Sequence, residues 1–194
     1  MLKIRRYRPE DNAAVKELHF AGIAQMRELS PVPGNPDPRN YSQDMDDIEN
    51  IYLNNGNFLV GLRGEEIVAI GAVKKLSATS AEIKRLRVRR DCQRKGFAKA
   101  IMVKLIESAK QLGYTELCLD TLVNNTPVNN TPAQQLFESL GFTKMKQEML
   151  GPFELIYYGK KLNEEDKDKE GEDTPHPNLS HKGRGVTGFP HPRE

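Results

Sequence analysis

Two cysteines, Cys92 and Cys118, cannot build a disulfide framework, so a reducing cytoplasm is the expected setting. Four histidines, three of them beyond residue 175, offer no metal-ligand spacing, and metal catalysis is not expected. No apolar run approaches the roughly 20 residues that cross a bilayer. The opening residues Met1-Leu2-Lys3-Ile4-Arg5 lack the apolar core of a signal peptide. No partner in a membrane is therefore expected. Also missing are the several glycines and the Gly-Lys-Ser/Thr ending of a mononucleotide loop, and the three glycines of a dinucleotide fingerprint.

What is present is one domain's worth of chain: 194 residues, 37% hydrophobic and 29% charged. The net charge of +2 conceals an asymmetry. Residues 163–194 carry 8 acidic and 5 basic side chains, which leaves 19 and 24 in residues 1–162. Much of that basic surplus falls at Lys84, Arg85, Arg87, Arg89, Arg90, Arg94 and Lys95. A basic patch can bind nucleic acid. This one is short and lacks interleaved aromatics, so nucleic acid is not the expected partner.

The most informative stretch runs from Ala81 to Gly113. Leu86 and Val88 close a strand, a cationic turn follows, and Ala98, Ile101, Met102, Leu105, Ile106, Ala109 and Leu112 recur at helical steps. Gly113 is a helix stop. The first amides of a helix lack partners and the dipole favours negative charge there, so the turn suits an anion. At Gly96 no Cβ blocks close approach of a ligand to the backbone.

Gln93-x-x-Gly96-x-Ala98 resembles the pyrophosphate-binding signature of the GCN5-related N-acetyltransferases (GNAT). A second run, Asn130-x-x-Ala133-x-x-Leu136-Phe137-x-x-x-Gly141-Phe142, resembles that family's downstream motif. The similarity covers roughly residues 2–162. It implies an α/β (α+β) GNAT fold: a twisted, mixed, mostly antiparallel sheet of six to seven strands, flanked by about four helices and splayed between the fourth and fifth strands. It implies acetyl-CoA as co-substrate, held by Leu86, Val88, Gln93, Arg94, Lys95, Gly96, Phe97, Ala98, Asn130 and Phe137. The implied reaction is acetyl transfer to a primary amine of a small molecule or peptide, by direct attack in a ternary complex, in a monomer or homodimer. The alternative is a GNAT-like domain that binds acyl-CoA with little or no catalysis, as a sensor or relic.

Along the chain, Leu2–Tyr7 reads as a strand and Pro9 opens a helix with Ala14, Val15, Leu18, Gly22 and Ile23 on one face. Ser30–Asn40, with four prolines, must be loop; in the family the matching segment lines the acceptor pocket. Asp44–Leu53 reads as a short helix. Phe58–Val60 and Ile67–Val73 read as strands around a turn at Gly61–Glu65. Ile83 has the opposite parity to Leu86 and Val88, so a regular strand puts it on the other face. Either a one-residue bulge near Lys84-Arg85 realigns all three, or both faces are buried. Family members carry a bulge in the matching strand.

Thr115–Thr121 reads as a strand, with Leu117 and Leu119 inward and Cys118 an inert core thiol. Val123–Pro127 is then copied outright as Val128–Pro132, a local duplication in a loop, where added length costs little. Ala133–Leu140 reads as a helix, and Phe142–Met149 with Phe153–Leu162 as a hairpin. The domain is expected to end at residue 162. Residues 163–194, charged and then rich in Pro, Gly and His, hold too few apolar groups to offset ordering entropy. They are expected to be disordered and resemble a translated repetitive element; the alternative is a partner-binding tail.

Acetyl transfer needs a base with an adjustable pKa that faces the pocket. Glu82 is the first candidate: it precedes Gln93 by eleven residues, the spacing of the base in the family's histone-acetylating branch. The plainer reading is a surface Glu paired with Lys84 or Lys160. Asp120 is the second candidate. Many family members have Tyr as general acid where this sequence has Phe137, so either the thiolate leaves unassisted, or Tyr157 or Tyr158 substitutes. Asp44, Asp46, Asp47 and Glu49 hint at a polyamine acceptor, although an exposed helix face accounts for them equally.

Overall fold

The computed structural model describes residues 1–29, 42–122, 132–150 and 153–162. Residues 1–162 form one compact unit. The expected loop at 30–40, the duplication around 123–131 and the tail from 163 lie outside the described residues.

Seven strands make one sheet: β1 (Lys3–Arg6), β2 (Asn57–Arg63), β3 (Glu66–Lys75), β4 (Ser80–Val88), β5 (Glu116–Leu122), β6 (Thr143–Leu150) and β7 (Phe153–Lys161). Their spatial order is β1-β2-β3-β4-β5-β7-β6. All neighbours are antiparallel except β4 and β5. The expected turn at 61–65 is shorter than its glycines suggest: Gly61, Leu62 and Arg63 continue β2 against β3. Helix α1 (Asn12–Leu29) follows a 3-10 turn at Pro9–Asp11. A 3-10 turn at Gln43–Met45 and a single π turn at Glu49–Leu53 stand where a short helix was expected. The remaining helices are α2 (Phe97–Gln111) and α3 (Pro132–Ser139).

Alternation along the strands sends apolar side chains to both faces of the sheet. One layer joins Ile83, Leu117 and Leu119 to Ile101, Met102 and Leu105 of α2 and to Phe137 of α3. The other joins Val60, Ile70 and Ala72 to Val15 and Leu18 of α1, with Met45, Ile48 and Tyr52. Gly71 allows α2 to approach: a Cβ there lies 2.8 Å from both Ile101 Cγ2 and Leu105 Cδ1. Two expected core positions are not core. Ala14 is exposed, and so is Leu112, which lies in the turn that ends α2. Helices α2 and α3 both end in the paired hydrogen bonds of a Schellman turn, Tyr114 N–H to Ala109 and Gly113 N–H to Lys110, then Phe142 N–H to Phe137 and Gly141 N–H to Glu138.

The bulge is real. Ile70 faces Arg87 and Ala72 faces Lys84, so Gly71 alone stands opposite both Arg85 and Leu86. Arg85 takes a left-handed φ of 59°. The extra residue restores Ile83, Leu86 and Val88 to one side, against α2.

Candidate active site

The bulge sets the geometry of the site. Strand β4 pairs with β5 only at Ser80, Ala81 and Glu82, opposite Glu116, Leu117 and Cys118. Beyond Glu82 the two parallel strands part, which leaves the second half of β4 unpaired on that side. Arg89 N–H donates to Val68 O of β3 at 2.9 Å. Strand alternation therefore turns the N–H and C=O of Val88 away from β3, into the gap. The Val88 carbonyl accepts from Gln93 Nε2 at 3.1 Å, which ties the strand end to the turn that follows.

That turn is a cradle of backbone. Arg94 (φ 59°) and Gly96 (φ 78°) are both left-handed, and Gly96 caps α2 with no side-chain hydrogen bond. The first helical bond is Ala100 N–H to Gly96 O at 3.0 Å, so the N–H groups of Phe97, Ala98 and Lys99 lack helical acceptors. A Cβ built on Gly96 meets nothing within 4 Å, so the turn opens outward. Lys95 Nζ folds back to the Asp91 carbonyl at 2.7 Å, and Gln93, Arg94 and Lys95 are exposed.

The expected cofactor contacts thus divide by physics. Leu86, Val88 and Phe97 pack their side chains against the α2 core, which leaves their backbone for a ligand. Phe137 is only 6% exposed, edge-on to Phe142 and Tyr158 with ring centroids 6.4 and 5.7 Å away. Asn130 lies outside the described residues.

The catalytic candidates sit on the opposite face of the same strands. Glu82 lies beside Cys118 in the register, and Asp120 directly opposite Tyr157. Lys84 Nζ holds Glu82 Oε1 at 3.0 Å. Burial pushes the Glu82 carboxyl above its usual range; Lys84 opposes the shift, and the neighbouring Asp120 carboxyl, hydrogen-bonded to it, adds to it. Burial, with Glu148 adding, drives the Tyr157 phenol up to about 12, so it stays protonated. Its ring carries Lys146 Nζ at 4.4 Å from the centroid. Tyr158 turns into the core. Cys118 is half-buried on the Glu82 face rather than in the core. Burial, then the charges of Glu82 and Asp120, take its thiol up to about 12. Among the described residues no group of His, Cys, Asp and Glu can hold a metal ion, and no helix is long and apolar enough to cross a membrane.

A family model described as acetyltransferase (GNAT) family matches residues 23–142, more than half of the chain. The chain belongs to the GNAT family. Among curated GNAT relatives, the uncharacterized N-acetyltransferase YsnE of Bacillus subtilis is 38% identical over 79 residues, which is 41% of this chain and 50% of that one. A second uncharacterized N-acetyltransferase of the same organism, YvbK, is 29% identical over 96 residues, covering 50% of this chain and 59% of its own. The chain therefore spans about half the length of the curated relatives it matches. Solved structures share the fold. A GNAT acetyltransferase from Staphylococcus aureus superposes with a TM-score of 0.70 at 19% identity, over 84% of this chain and all of that one. A putative acetyltransferase from Salmonella typhimurium, solved with acetyl-CoA, gives 0.63 at 17% identity, over 87% and 98%.

Sequence reasoning missed the network beneath the bulge. Arg85 Nε donates to Asp44 Oδ2 at 2.7 Å, and its second nitrogen grips Asp44 Oδ1. The Tyr52 hydroxyl donates to Asp44 as well. Burial alone raises the Asp44 carboxyl, but these donors outweigh it and hold the group below the usual carboxylate range. Asp46 pairs with Lys16 at 2.7 Å and Asp47 accepts from Asn50 at 2.9 Å. Of the acidic run, Asp44 is thus taken up inside the fold, while Asp46, Asp47 and Glu49 stay exposed. His19 was not singled out in the sequence at all, and Arg87 only as one of the basic residues between 84 and 95.

Proposed function

We propose that the chain is an acetyl-CoA-dependent N-acetyltransferase acting on a primary amine. One observation carries the reading: the second half of β4, unpaired on its β5 side, leads through a 3-10 turn at Arg90–Cys92 into the outward-opening turn at Gly96. A diphosphate suits the free amides of Phe97, Ala98 and Lys99. A pantetheine arm, with its two amides, suits the strand edge at Leu86 and Val88. Acetyl-CoA, when bound, supplies an activated acyl group and a leaving thiolate.

The remaining chemistry belongs to the chain. Glu82, held ionisable but above the ordinary carboxylate range, takes the proton from the incoming ammonium, with Asp120 beside it. The gap between β4 and β5 brings the two substrates together, which converts an encounter into a reaction within a complex. The Val88 N–H directs a donor into the gap, where negative charge develops on an acyl oxygen. Tyr157, protonated on the Glu82 side of the sheet, is the available donor for a departing thiolate.

Phe137 favours a second reading, an acyl-CoA-binding domain without efficient catalysis, because the core ring lacks the phenol that many family members have there. One experiment separates the two. Purified protein is given acetyl-CoA with a panel of amines, and free thiol is followed against an amine-free control. Amine-dependent thiol release supports transfer; tight CoA binding by calorimetry without release supports the second reading.

A further inference from the structure

On the face of β4 that carries Glu82, one cation has no anion. The Arg87 guanidinium donates to the Leu86 carbonyl at 2.8 Å, and among the described residues no carboxylate pairs with it. Its Nε is sealed from solvent without a partner, although the residue as a whole keeps some exposure. The adjacent Arg85 is different, since Asp44 clamps it. A second buried orphan lies close by. His19 Nε2 bonds Ser42 Oγ at 2.8 Å, while its Nδ1 has no partner. When Ser42 donates to Nε2, Nδ1 carries the ring proton. Two shielded N–H groups then await an acceptor; burial first, then the Arg87 and Arg85 guanidiniums, drive the His19 imidazole down to about 3. A buried donor left unmatched costs free energy that a bound acceptor recovers. Two donors, one of them part of an unneutralised guanidinium, select an anion of carboxylate shape.

Position supplies the rest. Glu82 and Arg87 lie on the same face of β4, on either side of the bulge, and Asp120 interacts electrostatically with both. The face therefore presents carboxylates at one end and a bare cation at the other, the complement of a zwitterion. Resting on the acetyl-transfer reading above, we propose that the acceptor is an amine that also carries a carboxylate, such as a free amino acid, with Arg87 and His19 holding that carboxylate while Glu82 receives the ammonium proton.

Gly22 of α1 offers an independent handle, because a Cβ there lies 2.6 Å from Arg87 Cδ. The test titrates wild type, Arg87→Met, Arg87→Lys and Gly22→Ala with common L-amino acids, their C-terminal amides and spermidine. Each titration is run with and without saturating CoA. At least one free acid is expected to bind wild type roughly tenfold or more tighter than its amide, the scale of a lost hydrogen bond to a charged group. Arg87→Met removes that discrimination, Arg87→Lys keeps part of it, and Gly22→Ala weakens the acid but not the amide. Melting curves and CoA titration establish that each variant is folded. Equal binding of acids and amides overturns the proposal, as does preference for spermidine, or discrimination that survives Arg87→Met in a folded protein. Failure of wild type to bind CoA overturns the acetyl-transfer reading instead, and the CoA-free titrations still decide the carboxylate site.

Discussion

On one face of β4, Ala81, Ile83, Leu86 and Val88 pack against α2; on the other lie Glu82 and Lys84, paired beside Cys118 and Asp120, then Arg85 on Asp44 and Arg87 against Gly22 of α1. The first face is apolar and uniform, and it does the structural task of seating α2 so that its N-terminus meets the strand end. The second is a row of charges half withdrawn from water, each placed by a partner or left without one. A single inserted residue joins the two. It keeps the apolar row in phase and, in the same stroke, ends pairing with β5 and gathers the charged row. The lesson is that one strand can separate structure from chemistry by face, so substitutions on the two faces must fail in different ways.

Glu82→Gln should produce the largest effect. Loss of a positioned base lowers kcat by about 10²–10⁴, read as amine-dependent thiol release. Stability should not fall. Because the folded carboxyl is raised above its unfolded value, its stabilising contribution is present at low pH and is lost as pH rises through the folded value. Above the folded value the ionised group is a liability that glutamine removes. In wild type the acid limb of kcat/KM should lie above the normal glutamate range, and this limb vanishes in the variant. A melting temperature that drops sharply would mean that the charged face is structural after all.

The apolar face should show the reverse. Leu105, fully buried beneath Gly71, loses about 2–5 kcal/mol on truncation to alanine. Urea unfolding should register that loss while the pH profile of the surviving activity keeps its shape. Between the faces stands Gly96. Gly96→Glu adds a carboxylate where the amides open outward, which should weaken CoA by roughly 100-fold in calorimetry, while its left-handed φ costs about 1–2 kcal/mol of stability, read as a modest drop in melting temperature.

How much of this the sequence carried follows the same division. The helical period from Ala98 to Ala109, the glycine stops and the parity conflict at Ile83 are local signals, and they led to the helix, its ends and the bulge. The Gly96 turn was equally legible because its glycine and cations are contiguous. The charged face was not. Arg85 meets Asp44 across 41 positions, His19 meets Ser42 across 23, and nothing in a period of two distinguishes a clamped arginine from a bare one. Asp44 read as part of an acidic surface because its neutralising partners come from β4 and the π turn. Ala14 and Leu112 were overcounted because helical periodicity marks a face without marking where the neighbouring layer stops.

A smaller prediction separates charge that serves chemistry from charge that serves the fold. Arg5 leaves β1 on the side opposite core-facing Ile4. Its guanidinium reaches Asp11 through two bonds of 2.6 and 2.8 Å, and the Arg8 N–H adds a third at 2.8 Å. The Arg5 bond lowers the Asp11 carboxyl below its ordinary value; burial opposes it without prevailing. This is the opposite direction to Glu82, so the linkage has the opposite sign. The stabilisation is present above the unfolded carboxylate pKa of about 3.9 and disappears as pH falls through the lower folded value. Asp11→Asn should therefore cost about 1–3 kcal/mol at pH 7, a deficit that closes below about pH 4, with turnover by the folded fraction unchanged. Urea titrations of both proteins at pH 7 and pH 3 measure it. A deficit that persists undiminished at pH 3 would assign the loss to packing, and a fall in kcat would extend the catalytic face from β4 to the edge of the sheet.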